Sequence, residues 1–140
     1  MNNRELIAAD IQATLEATRQ STTATVRLGR ITRDPIVIDE LSRESFPCVF
    51  VESANEQRED ISIGSRQGTI EYQLNLHVHG DTRDSQRNGL IELIEQALST
   101  DITRGGAAYD TQLSSIEIIE SGEAKPYASI RLTFVIRYCY

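Results

Sequence analysis

Thr69-Ile70-Glu71-Tyr72-Gln73-Leu74-Asn75-Leu76-His77-Val78-His79 decides how the chain reads. Apolar and polar residues alternate without a break, and a period of two belongs to a β-strand, whose successive side chains point to opposite faces. Ile70, Tyr72, Leu74, Leu76 and Val78 are predicted to face a core. Glu71, Gln73, Asn75, His77 and His79 are predicted to face water or another subunit. The reading is a sheet with one covered and one open face, and the rest of the chain must supply the cover.

Downstream, Gly80-Asp81 reads as a turn and Asp84 or Ser85 as the cap of a helix whose stripe is Leu90, Ile91, Ile94, Ala97 and Leu98. Thr100 to Asp110, with Gly105-Gly106, reads as a loop, Ser114 to Glu120 as a strand, and Ser121 to Pro126 as a turn. Tyr127 to Tyr140 closes the chain as a long strand. Its Ile130, Leu132, Phe134, Ile136 and Tyr138 share one face, and Arg131, Thr133, Val135 and Arg137 the other.

Upstream, Phe46-Pro47-Cys48-Val49-Phe50-Val51 is apolar on both faces, which suits a central strand of a covered sheet. From Asn3, the spacing of Ile7, Ile11 and Leu15, widened by Leu6 and the neighbouring alanines, predicts a helix. Asn2 or Asn3 would cap it, Glu5 favours its first turn, and Ser21-Thr22-Thr23 would end it. Ala24 to Leu28 reads as a strand, with breaks at Gly29 and Asp34-Pro35, and Ile36-Val37-Ile38 as a short edge strand or an extended loop. Ser53 to Gly68 is polar and reads as a long loop, of a length that compact domains reserve for function or leave disordered. Within it Glu56, Arg58, Glu59 and Asp60 cannot build a core, and Ile61 and Ile63 would sit exposed unless a partner covered them. With Arg66, these join Glu71, Gln73, Asn75, His77 and His79 as candidate assembly contacts. The expected fold is a single α+β domain over residues 1–140, with one mixed or antiparallel sheet and two helices packed on one face.

Composition narrows the function classes. The chain has 140 residues, 39% hydrophobic and 25% charged, enough for one core. Its net charge of −7 is shared, with 8 basic against 11 acidic residues in 1–70 and 6 against 10 in 71–140. Tight nucleic-acid binding rests on Lys and Arg neutralising phosphates, so a dedicated DNA-binding role is not expected. The longest apolar runs, such as Phe134-Val135-Ile136, fall far short of the roughly 20 residues that span a bilayer. The segment after Met1 lacks the apolar core of a signal peptide, so folding in the cytoplasm is expected. Lys125 is the single lysine beside thirteen arginines, a bias that suits bidentate ion pairs between proteins and that genomic base composition would also produce.

No catalytic constellation stands out. Cys48 and Cys139 lie far apart in apolar segments with no neighbouring His or CxxC partner, and are expected to be buried structural thiols. Gly64-Ser65-Arg66-Gln67-Gly68 lacks the P-loop lysine and precedes a strand, and Gly105-Gly106 has the same defect, so both read as turns. No Gly-x-Ser-x-Gly elbow occurs. His77 and His79 share a strand face and could meet at a metal with Glu71 or Asp81, but no third ligand stands at a recognisable spacing. Glu92 and Glu95 lie on the polar side of the second helix, where nothing would shift a pKa for acid–base work. The expectation is no enzyme, no cofactor and no metal.

Several strings in this order resemble the tail terminator, or tail completion, proteins of long-tailed bacteriophages and related prophage tails. They are the N-terminal helix, the Asp34-Pro35 turn, Phe46-Pro47-Cys48-Val49-Phe50-Val51-Glu52 and the long polar stretch after it. The strand ending in Gly80-Asp81, the helix Gly89 to Leu98 and the final Pro126 to Tyr138 strand complete the match. The resemblance spans nearly the whole chain and is carried by hydrophobic pattern. It implies a structural virion protein at the head-proximal end of the tail: a homo-oligomeric ring, usually a hexamer, that caps the finished tail tube, ends its polymerisation and offers a surface for head joining. It implies partners in the tail tube protein and the neck proteins, no membrane, and DNA that passes through the lumen without specific binding, which an acidic chain suits. Two alternatives are a head–tail connector of similar size and a small ligand-binding regulatory α+β dimer.

Overall fold

The alternation at Thr69–His79 is realised at the middle of a sheet that has five strands among the described residues. The computed structural model describes residues 3–19, 28–34, 47–62, 64–79, 83–120 and 127–140. In chain order the elements are helix α1 (Asn3–Thr18), strands β1 (Ile31–Thr32), β2 (Cys48–Ser62) and β3 (Ser65–His79), helix α2 (Arg83–Thr100), a 3-10 turn at Arg104–Gly106, and strands β4 (Asp110–Glu120) and β5 (Tyr127–Cys139). The strand order is β1-β2-β3-β5-β4, with β1 parallel to β2 and all other neighbours antiparallel. This is the mixed sheet of an α+β fold.

Both helices pack on one face. Ile7, Ala8, Ile11 and Leu15 of α1 and Leu90, Ile94 and Leu98 of α2 join Val49, Val51, Ile70, Tyr72, Leu74, Leu76, Val78 and Ile130, Leu132, Phe134, Ile136 and Tyr138 of β5 in one core. Each fully buried Leu or Ile of these stripes contributes roughly 1.5–3 kcal/mol relative to exposure. The two registers read from periodicity, Ile70 to Val78 and Ile130 to Tyr138, are the buried ones.

Four expectations about the elements need correction. Ser53–Gly68 is no loop: β2 continues to Ser62 and β3 already begins at Ser65, so the polar stretch forms a long hairpin. A polar strand satisfies its backbone by pairing and needs no apolar side chains, so hydropathy alone does not separate it from a loop. Pairing with β5 reinforces it, since Gln67 pairs with Cys139 and the Tyr140 amide donates to the Arg66 carbonyl at 3.1 Å. Second, of the Phe46–Val51 stretch expected to form the central strand, Cys48–Val51 opens the strand next to the edge rather than the middle one, which is β3, and Phe46 lies outside the described residues. Third, β4 starts at Asp110 rather than Ser114, because Asp110 and Thr111 already pair with Arg137 and Ile136. Fourth, α2 starts at Arg83, so Asp84 and Ser85 lie within its first turn. The Ser21–Thr23, Ile36–Ile38, Gly80–Asp81 and Ser121–Pro126 readings lie outside the described residues, as does the expected Ala24–Leu28 strand except for Leu28, which is buried but in no strand.

The cysteines differ. Cys48 is buried, and burial pushes its thiol up to about 11, whereas Cys139, expected to be buried, is exposed. The thiolate is the reactive form. At pH 8 a thiol reagent is expected to titrate one cysteine in the native protein and both in denaturant. Rapid native labelling of both would contradict this placement of Cys48.

Candidate functional site

The candidate assembly residues fall on two surfaces that a β-bulge connects. Before the bulge, Val49, Val51 and Ser53 of β2 share the helix-side face, with Ser53 opposite Tyr72. Ala54 and Asn55 then occupy the space opposite Glu71, and the ladder resumes with Glu56 opposite Ile70. The extra residue inverts the alternation. Glu56 and Arg58, opposite Ile70 and Gly68, now lie on the helix side, and Glu59, opposite Gln67, lies on the outer side.

Glu56 is engaged inside the subunit. It pairs with Arg4 of α1 at 3.2 Å and with Arg58 at 3.6 Å, and it accepts a hydrogen bond from the Tyr138 hydroxyl. The Tyr72 hydroxyl donates to the Arg4 carbonyl at 2.9 Å, and burial raises its pKa to about 12, keeping it a protonated donor. Arg58 lies over the Tyr140 ring at 4.4 Å, and the Tyr138 and Tyr140 rings are 5.8 Å apart. This cluster ties the first turn of α1, the hairpin and the last strand together. Farther out, Asp60 and Arg66 form a 3.4 Å pair with both side chains largely exposed, a geometry that contributes little to stability and is free to rearrange. Gly64 takes the hairpin turn at φ +84°, a conformation glycine adopts without steric cost. Ile63 and the side chains of Ile61 and His79 lie outside the described residues.

The second surface is the outer face of the sheet. Thr32, Phe50, Asn75, Arg131 and Glu117 form one row across five strands. Asn75 donates to Glu52 at 3.1 Å and accepts from Arg131 Nε at 3.1 Å, and Arg131 reaches Glu117 at 3.5 Å. Arg137 pairs with Asp110 at 2.9 Å at the end of the same face. Glu71, Gln73, Asn75 and His77 are half-buried, and much of this face is cross-linked within the subunit. Periodicity located the face. It could not reveal the network, because the partners come from strands far away in sequence.

His77 Nδ1 lies 2.8 Å from Ser129 Oγ, and burial lowers the imidazole pKa from its ordinary 6.5. The described residues bring together no group of three His, Cys, Asp or Glu side chains that could hold a metal. A depressed histidine pKa means that the unfolded chain takes up its proton first on acidification, so stability falls as pH drops below about 6.5 and levels off below the folded value. His77→Gln is expected to remove that increment while leaving the thermal midpoint at pH 8 within a few degrees. An unchanged acid dependence would contradict it.

Two features escaped the sequence reading. Arg104 is 2% exposed in the turn after α2, where it donates to the Leu98 carbonyl at 2.5 Å and to the Asp101 carbonyl and lies 3.3 Å from Asp10 of α1. Asp101 accepts from the Thr103 and Gly105 amides, at 2.9 and 3.0 Å, and from the Thr103 hydroxyl, and these bonds hold its carboxyl below the usual range. Second, Ile116 and Ile118 of β4 are 48% and 50% exposed. No helix among the described residues is long and apolar enough to cross a membrane.

No family model and no curated protein matches the chain. Among solved structures, a chain from the virion of a native gene transfer agent (GTA) particle is similar, with a TM-score of 0.52 and 10% sequence identity. The likeness covers 96% of this chain and 98% of that one, so the two share a fold over almost their entire lengths.

Proposed function

We propose that this chain is a structural virion protein of the tail-terminator type, which forms a homo-oligomeric ring, sixfold by the family resemblance, on the end of a completed tail tube. The observation that carries the reading is the nearly complete mutual coverage with a chain of the gene transfer agent virion. It converges with the independent resemblance of the sequence to tail terminators. The role is assembly rather than catalysis: the ring stops tube growth and presents a surface for the neck proteins, in the head-proximal part of the particle.

The hairpin suits this task. Its distal residues Glu59, Asp60 and Arg66 are exposed and charged, while Glu56, Arg58, Tyr138 and Tyr140 brace its root against the body. A rigid root with a polar end offers a contact that depends on charge register more than on apolar burial, so it does not promote adhesion between free subunits.

The test is deletion of the gene in cells that produce the particle, with complementation in trans. Overlong tubes without the protein, and normal tubes with rings at their head-proximal ends on complementation, are expected in electron micrographs. Normal-length tubes lacking heads would instead indicate a connector, and normal particles would refute a tail-assembly role. The combined variant Glu59→Lys, Asp60→Lys and Arg66→Glu is expected to melt within a few degrees of the parent and to fail to cap. Normal capping by it would move the tube contact off the hairpin.

A further inference from the structure

The described sheet has two unlike open edges, and one row of residues connects them. Ile31, Val49, Leu76, Ile130 and Ile118 lie side by side from β1 to β4 on the helix-covered face, all apolar. At the β1 end the row is covered, with Ile31 8% exposed. At the β4 end it runs out uncovered, with Ile118 at 50% and Ile116 at 48%. Beside this half-open core rim, no described strand pairs with the outer edge of β4. Such an edge invites strand pairing, and β4 carries neither lysine nor proline to blunt it.

Charge selects the occupant. From Asp110 to Glu120 the strand holds only acidic charges, Asp110, Glu117 and Glu120, so pairing with its own copy would bring like charges together. The β1 edge instead carries the exposed Arg30, free of an acidic neighbour on its own strand; farther along, Arg33 is held by Glu5 at 2.7 and 2.9 Å and is followed by the exposed Asp34. We infer that the β4 edge of one copy docks antiparallel on the β1 edge of a second copy, with Ile118 opposite Ile31 and Glu117 opposite Thr32, so that the sheet and its apolar row continue from subunit to subunit. Arg30 of the next copy then stands diagonal to Glu117 on the outer face, a spacing long side chains bridge. The contact is head-to-tail, and its closure into a ring rests on the function proposed above.

The experiment compares the parent with Ile118→Lys, Arg30→Glu, and the charge swap Arg30→Glu with Glu117→Arg. Self-association is followed by sedimentation of the free protein and by electron microscopy of capped tubes, after melting curves verify folding. Ile118→Lys is expected to weaken association at least about tenfold. Arg30→Glu should weaken it a few-fold and the swap should restore it, because only a heterologous contact brings these two positions together. Association of Ile118→Lys like the parent's, a swap that does not restore, or an Arg30→Glu variant as strong as the parent would overturn the inference, as would a parent that is monomeric both free and on tube ends. Rings that still form with Ile118→Lys would overturn this contact and leave tube capping intact. A parent that associates through these edges yet never arrests tube growth would overturn the capping function alone.

Discussion

Arg104→Ala is expected to lower stability by about 3–5 kcal/mol, the range seen when one member of a buried ion pair is removed. For a chain of this size that corresponds to a fall of roughly 10–20 °C in the thermal midpoint. The guanidinium is nearly inaccessible and joins three segments: the Leu98 carbonyl at the end of α2, the Asp101 carbonyl, and Asp10 of α1. Without it, helix α2 loses a cationic group at its negative end, two carbonyls lose donors, and Asp10 loses its neighbour. The side chain is held there despite an unfavourable backbone, because Arg104 has φ +50°. A left-handed conformation costs a residue with a Cβ about 1–2 kcal/mol, a cost glycine escapes. Arg104→Gly is therefore expected to be the milder substitution by about 1 kcal/mol, though both delete the same contacts. Equal or greater damage from glycine in denaturant titrations would show that the backbone there is not strained.

Gly68→Ala is expected to cost about 1–3 kcal/mol, although alanine in a strand normally gains over glycine. Gly68 lies opposite Tyr138 in the β3–β5 ladder, and the phenol ring lies across it. A methyl group at Gly68 would stand 2.6 Å from Tyr138 Cε1 and 2.7 Å from its hydroxyl oxygen. The ring has nowhere to retreat, since Tyr138 is fully buried and its hydroxyl donates to Glu56. Displacing it would loosen the cluster that braces the hairpin root, so the hairpin should become more mobile as stability falls. A double-mutant cycle separates sterics from chain entropy: in a Tyr138→Ala background, Gly68→Ala is expected to become neutral or stabilising. Destabilisation of the same size in both backgrounds would rule out the clash as its cause.

The outer-face candidates and the hairpin candidates were legible to different degrees. Glu71, Gln73, Asn75 and His77 could be assigned to one face because a strand of period two leaves no other choice. Glu56 and Arg58 could not be assigned a side, since the bulge at Ala54–Asn55 reverses inside and outside and leaves no hydropathy signal in a polar stretch. Arg104 gave no signal either, being one arginine in a short Gly-rich turn whose partners lie on two helices and in the turn itself. The exposed Ile116 and Ile118 read as ordinary strand apolars, because exposure depends on how far the helices extend over the sheet.

The sequence by itself determined the two helices, the alternating faces of the third and last strands, the α+β class and the acidic surface charge, all of which follow from local periodicity and composition. Only the tertiary structure decided that the polar stretch is a hairpin, that Glu56 turns inward, that Arg104 is buried, and that an apolar row ends uncovered at Ile118. Each of these depends on pairing or packing between segments distant along the chain, where register and burial are set by the partner rather than by the residue itself.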